Sequence, residues 1–309
     1  MTAPDETPYR YRVRHLTQYA YGGEVVHSHQ MLRLTPRAMA HQSTLSHEVT
    51  ITPQPVVRVD GEDAFGNPVT RLQIDRPHDA LIVDANMEVE VRMRPPRKAE
   101  DSQPWRDLRE SLRYAAHPLA PEDLEVRRYI SESPYVRVKR RFSEFAADCF
   151  PAEGAVLACA ETLMHKIHRD FTYAPGETQV LTPLVDVLGS KRGVCQDYAH
   201  VMIACLRAQG LAARYVSGYL RTLPRDSEPE ADDEPELVGA DASHAWVAVY
   251  APPYGWVALD PTNDRRVGRD HLTLAWGRDF GDVSPLRGVI LGGGSHDLTV
   301  NVSVRPLLA

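Results

Sequence analysis

The chain has 309 residues, room for about two domains. Its apolar fraction of 43% and charged fraction of 25% are those of a soluble globular protein, and at this length roughly three quarters of the unfolded surface is buried without help from disulfides or metal. The formal charge of −7 comes from one stretch, Asp226–Glu236, which holds seven acids and no base; the other 35 acids and 35 bases cancel, which excludes the net basic field of a dedicated nucleic-acid binder.

The opening residues carry no apolar run of signal-peptide length, and no window approaches the roughly 18 uncharged apolar residues of a membrane span. The expectation is a cytoplasmic protein with no membrane partner. Four cysteines (Cys149, Cys159, Cys195 and Cys205), with no Cys-x-x-Cys pair, make neither a disulfide scaffold nor a zinc ribbon, so no cofactor or metal is expected.

In chain order, the stretches 10–16, 47–52 and 87–93 alternate apolar and polar residues, the period of half-buried strands. Turn chemistry at Tyr21-Gly22-Gly23, Asp60-Gly61 and Phe65-Gly66-Asn67-Pro68 separates them. Residues 1–95 therefore read as an N-terminal β-sandwich domain. Residues 96–150, broken by Pro104, Pro118, Pro121 and Pro134, read as a connection of short helices. Residues 151–309 read as a second domain, with a tail strand near Leu298–Val304 packed back on it.

Within that domain, Val156, Ala160, Leu163 and Ile167 give an apolar helical face over 155–169. Ala199, Met202, Cys205 and Leu206 do the same over 195–209, and Gly210 suits the position after the helix. Strands follow at 213–220, 245–250 and 255–259, with Asp226–Glu236 a solvated loop between the first two. Gly292-Gly293-Gly294 reads as a flexible turn and not a phosphate cradle, since no Gly-Lys-Ser/Thr follows.

The chemistry concentrates at Arg192-Gly193-Val194-Cys195-Gln196-Asp197-Tyr198-Ala199. Cys195 opens a helix, where unpaired N–H groups and the helix dipole favour thiolate over thiol. The Gly193 turn leaves space for a substrate carbonyl beside the Cys195 N–H. Alone, such a cysteine reads more readily as a small buried hydrophobe, the commonest fate of a free cysteine. Two further features change the balance: His244 begins the strand Ala245–Tyr250, and Asp260 closes the next strand before Pro261. Antiparallel pairing puts His244 and Asp260 at one end of a sheet, where the carboxylate holds one imidazole nitrogen and the other faces the thiol. Tyr173 is a candidate second oxyanion donor, and Trp246 and Trp256 are candidate cleft walls. Asp197 and Tyr198 are read as supports of the helix start. His27 with His29 and His165 with His168 lack further ligands at metal-site spacing and read as surface or half-buried histidines.

The sequence resembles the transglutaminase-like superfamily. The resemblance rests on Gly193-Val194-Cys195-Gln196-Asp197-Tyr198-Ala199, Ser243-His244-Ala245-Trp246 and Leu259-Asp260-Pro261-Thr262, three motifs in the family's Cys-His-Asp order. Arg12–Tyr21, Leu32–Arg37, Phe171-Thr172-Tyr173 and Gly277–Pro285 are similar to stretches of its bacterial members. The resemblance implies an α+β fold, with a β-rich N-terminal domain and a papain-like core bearing the cysteine on a helix beside an antiparallel sheet. It implies thiol-dependent acyl transfer by Cys195, His244 and Asp260 on a peptide or protein amide. The calcium loops and paired C-terminal β-domains of the animal crosslinkers are missing, as are the zinc-binding cysteine pairs of the glycanases. Amide hydrolysis is therefore favoured, with amine transfer and a non-catalytic binding module as alternatives.

Overall fold

The computed structural model describes residues 8–113, 121–222, 237–239 and 243–307; the acidic stretch 226–236, read as a solvated loop, lies outside them. The chain opens with five strands: β1 (Tyr9–Leu32), β2 (Gln42–Thr52), β3 (Val57–Glu62), β4 (Pro68–Ile74) and β5 (His78–Val91). They lie in the order β2-β5-β1-β4-β3. Along the first half of β1, Tyr11, Val13, His15 and Thr17 face inward while Arg10, Arg12 and Arg14 face water. The outward arginines pair with Glu90, Glu88 and Asp84 of β5; the contacts to Glu88 and Asp84 are exposed and worth under about 1 kcal/mol each, and Glu90 is buried.

Helices α1 (Trp105–Leu112), α2 (Pro121–Arg127) and α3 (Arg140–Ala146) connect this sheet to the second half. There follow α4 (Val156–Asp170), β6 (Thr172–Tyr173), α5 (Leu184–Ser190), β7 (Arg192–Gly193) and α6 (Cys195–Ala208). Next come β8 (Ala213–Leu220), β9 (His244–Tyr250), β10 (Trp256–Asp260), β11 (Arg265–Arg266), β12 (His271–Gly277) and the short α7 (Phe280–Val283). The five strands form an antiparallel sheet in the order β11-β10-β9-β8-β12, and α6 packs on β8 and β9. The sequence suggests one apolar face for α6, but every residue from Asp197 to Arg207 is buried, because α3, α4 and α5 cover the side away from the sheet. Arg207 is accommodated there by donating to the carbonyls of Tyr129, Ala213 and Arg278.

The last strands, β13 (Leu286–Gly292) and β14 (His296–Leu307), correct the expectation for the tail. They do not pack on the second domain's sheet as another strand of it; they pair antiparallel with β1 and complete the N-terminal sheet. The glycines read as turns explain how. β1 runs through Gly22-Gly23 without stopping, and Gly292–Gly294, all at positive φ, form the matching corner opposite. Gly22 N donates to Ser295 O at 2.7 Å and Gly23 N to Gly293 O at 3.0 Å. A Cβ on Gly22 would stand 2.7 Å from Ser295 Oγ and 3.3 Å from Ser295 O, so the serine would have to turn away. Beyond the corner β1 passes between β4 and β13, so the two halves of the sheet share this strand.

The two halves of the chain are joined by amide side chains. Gln42 donates to Thr273 O at 2.8 Å and accepts from Thr273 N at 2.7 Å, and Asn67 does the same to Trp276 O and N at 2.8 and 2.9 Å. Both residues sit on the outer edge of β12, so they satisfy backbone groups that a missing sixth strand would otherwise pair. Among the described residues no helix is long and apolar enough to cross a membrane.

Candidate active site

Cys195 is half-buried at the first position of α6. The helix start is built by Asp197, whose Oδ2 accepts from Val194 N at 2.8 Å and from Thr178 Oγ1 at 2.7 Å. Burial raises the Asp197 pKa, and these two bonds oppose the rise. Gly193 is needed for packing: a Cβ there would lie 2.5 Å from Asp197 Oδ2. β7 pairs in parallel with β6, which sets Tyr173 beside Gly193.

His244 begins β9 and Asp260 ends the neighbouring β10, as antiparallel register requires. His244 Nε2 donates to Asp260 Oδ2 at 2.9 Å, and neither side chain is exposed. Burial would lower the imidazole pKa, but Asp260 and the nearby Cys195 sulfur outweigh it and raise it. Burial likewise pushes Asp260 upward, yet the His244 charge and the bonds from His244 and His271 hold its carboxyl well below the usual range. His244 Nδ1 is buried on the side of the ring away from Asp260, and the Cys195 side chain is the neighbour that, after Asp260, raises the imidazole pKa.

The other three cysteines are buried. Burial pushes the Cys149 and Cys159 thiols up to about 11 and Cys205 higher still, which keeps all three protonated.

Of the remaining candidates, Tyr173 comes to the site: a Cβ on Gly239 would be 2.8 Å from His244 Nδ1 and 3.4 Å from the Tyr173 hydroxyl. Trp246 does not wall an open cleft. It is 1% exposed and packs edge-on against His271, with ring centroids 5.3 Å apart, as a floor beneath the imidazoles. Trp256 packs instead against Tyr129 and the Arg214 guanidinium.

Two elements were not legible as site components. His271, at the start of β12, places Nε2 3.2 Å from Asp260 Oδ2. The α4 histidines, read from sequence as a pair without further ligands, hold the turn after Asp260: His168 Nδ1 donates to Thr262 O at 3.0 Å, and His165 bonds Asp264. Asp260 also accepts from Thr262 N, Asn263 N and Asn263 Nδ2. A cavity of ≈ 580 Å³ is lined at one end by Gln196 and Asp197, the two residues after Cys195, and extends past Tyr135, Lys139, Leu181 and Arg278; Cys195, His244 and Tyr173 do not line it. His200 at its back is buried and neutral, its pKa lowered to about 3 by desolvation, and accepts from Phe280 N at 3.1 Å.

A cysteine at a helix start and a histidine held by a buried carboxylate form an arrangement capable of acyl-transfer chemistry. Comparison with known proteins agrees at the level of family. Residues 11–90 match the bacterial transglutaminase-like N-terminal region, and residues 144–261 match the transglutaminase-like superfamily. An uncharacterized protein of Mycobacterium tuberculosis (strain ATCC 25618 / H37Rv) is 36% identical over 98% of this chain and 94% of its own length. A protein-glutamine gamma-glutamyltransferase of Pseudomonas aeruginosa is 37% identical over 73 residues, 24% of this chain and 10% of that protein. The crystal structure of a provisionally assigned cysteine protease from Cytophaga hutchinsonii superposes with a TM-score of 0.74 at 19% identity, covering 98% of this chain and 92% of that one.

Proposed function

The chain belongs to the transglutaminase-like superfamily, and from that premise we propose that it is a thiol-dependent acyl transferase that hydrolyses peptide or amide bonds. The observation that carries this reading is the sealed His244–Asp260 pair with His244 Nδ1 left for the Cys195 thiol. Cys195 gives its proton to His244, and its sulfur attacks the amide carbonyl to form a C–S bond. His244 returns that proton to the leaving nitrogen as the C–N bond breaks, which leaves a thioester. Water, deprotonated by His244, then attacks the thioester; the acid leaves and the thiol is restored. Asp260 keeps the imidazole in one tautomer and supports its positive charge.

The oxyanion of each tetrahedral intermediate is met by the Cys195 N–H, which has no intrahelical acceptor, and by the Tyr173 hydroxyl. The second reading, transfer to an amine, is favoured by the 73-residue likeness to the Pseudomonas aeruginosa transferase.

The test is mass-spectrometric profiling of peptide and amide libraries with the wild-type chain and with Cys195→Ala. Cleavage by the first and none by the second is expected. Equal product from both would discard Cys195 as nucleophile, and no product from either would favour the binding-module reading.

A further inference from the structure

His271 is a fully shielded imidazole with no role in the reaction just described. Its two nitrogens are assigned by their neighbours. Nδ1 accepts from Gly268 N at 3.5 Å, so the ring proton lies on Nε2, which faces Asp260 Oδ2 at 3.2 Å. Burial lowers the His271 pKa despite the nearby carboxylate, which keeps the ring neutral. Asp260 Oδ2 thus accepts from one imidazole that changes charge during turnover and from one that does not, with Asn263 Nδ2 as a third donor at 2.8 Å.

The strand that carries His271 is held from the other half of the chain. On one side of it, Tyr11 of β1 donates its hydroxyl to Asp270 Oδ1 at 3.4 Å. On the other side, the Gln42 amide clasps both backbone groups of Thr273, and Arg37 N adds a bond to Thr273 O at 3.2 Å. The register between β8 and β12 slips between Thr273 and Ala275, so the strand is irregular where the amide grips it.

We propose that His271 is a positioning residue of the triad, and that the N-terminal domain fixes its place through Gln42. The inference rests on the reading of Cys195, His244 and Asp260 as the reacting array. A neutral N–H on Asp260 Oδ2 draws charge density from the carboxylate, so Asp260 holds the His244 imidazolium less tightly and His244 releases its proton more readily. It also fixes the direction of Oδ2, as an outer partner does for a metal-bound histidine. The titratable groups around this point are Cys195 of α6, Tyr173 of β6, His244 of β9 and Asp260 of β10. Asp270, just before β12, is itself paired with Arg221 at 2.8 Å.

The experiment follows the His244 titration by NMR in the full chain labelled with 15N-histidine, in parallel with the rate of Cys195 alkylation by iodoacetamide. His271→Leu keeps the bulk and removes the donor; His271→Gln keeps an N–H near the Nε2 position. The His244 midpoint should rise by about one pH unit in His271→Leu and return most of the way in His271→Gln. Gln42→Ala, far from the reacting atoms, should shift it in the same direction by less. Equal midpoints in the Leu and Gln variants would show that His271 only packs, and an unchanged midpoint in Gln42→Ala would remove the N-terminal domain from the device. If His271→Leu cannot be obtained folded, His271→Ala takes its place in the comparison with His271→Gln. An inert Cys195 alongside the expected shifts would overturn the acyl-transfer reading and leave only the coupling of His271 to His244 through Asp260.

Discussion

Asp260 Oδ2 lies 2.9 Å from His244 Nε2 with both side chains closed to solvent, so neither partner has water to fall back on if the other is lost. Such a pair earns little by existing and much by not being broken: removing one member of a buried ion pair costs about 3–5 kcal/mol. Asp260→Asn is therefore expected to do more than weaken an imidazolium. The introduced NH₂ would face groups that now donate to the carboxylate from His244, His271, Asn263 and the backbone. Turnover should fall by about 10⁴-fold, the scale of the same change in a serine triad. Steady-state kinetics on any substrate found by profiling checks this, and a variant within a few-fold of wild type would mean that His244 is oriented by another group.

Alkylation should single out one cysteine. Cys195 sits half-buried at a helix start, whereas burial holds Cys149, Cys159 and Cys205 as thiols. Iodoacetamide at pH 7 is expected to modify Cys195 at least about tenfold faster than the other three, since thiolate is the reacting form. Tryptic mapping over time gives the four rates. Faster labelling of Cys159 or Cys205 would place the activated thiol elsewhere.

Much of the site was readable because its three members each occupy an element boundary that the sequence marks. Gly193 precedes Cys195, His244 opens an alternating strand and Pro261 stops the strand that ends in Asp260. His271 left no such mark. It looks like any polar residue at the head of a strand, and its contact with Asp260 depends on β12 entering the sheet beside β8, which no local pattern encodes. The tail was misplaced for the same reason. Leu298–Val304 shows clear alternation, but alternation says that one face is buried and not which sheet buries it. The glycines at 292–294 likewise signal a change of direction, and only the partner glycines at 22–23 reveal a shared corner.

Gly193→Ala is a probe of the helix start. The added methyl would overlap Asp197 Oδ2 and Cβ, which stand 2.5 and 2.8 Å from its position. Overpacking of this kind costs roughly 1–3 kcal/mol. Relief by moving Asp197 breaks its bonds to Val194 N and Thr178 Oγ1, and so displaces the Cys195 turn. A lowered thermal midpoint together with slower alkylation of Cys195 is expected. A variant as stable and as reactive as wild type would show that the turn has slack.

His15 makes the fold acid-sensitive. It is buried in β1, where Nδ1 meets the Tyr219 hydroxyl at 2.8 Å and Nε2 meets Thr17 Oγ1 at 3.0 Å. Desolvation lowers its pKa to about 4, against about 6.5 in an unfolded chain. The unfolded chain then binds the extra proton first as pH falls. The stabilisation is whole above about pH 6.5 and is lost progressively toward pH 4, by roughly 3 kcal/mol in total. Urea unfolding of wild type and His15→Gln at pH 7 and pH 4.5 isolates this contribution. The gap between the two proteins should narrow at the lower pH, and a constant gap would mean that His15 is not held neutral.

In the proposed mechanism the fate of the thioester is decided by which nucleophile reaches it. Attack by Cys195 yields the same acyl-enzyme whether water or an amine follows, so the triad geometry is silent on the second half-reaction. The surroundings are not. The cavity that begins at Gln196 is lined by four bases, Arg137, Lys139, Arg278 and Arg287, against three acids, Asp197, Asp279 and Asp282, an excess of one positive charge, with Arg278 and Asp282 paired to each other. A cationic amine approaching through it meets like charge, at a cost that salt reduces. Water meets no such barrier. Hydrolysis is therefore expected to dominate at neutral pH, and a millimolar primary amine should divert only a minor part of the product. Raising the ionic strength should increase that part, because screening weakens the repulsion. One acyl donor, with and without a labelled amine at low and high salt, gives both numbers by mass spectrometry. Amine adduct as the main product at low salt would make this chain a transferase and would assign the cationic cavity to the acyl donor instead.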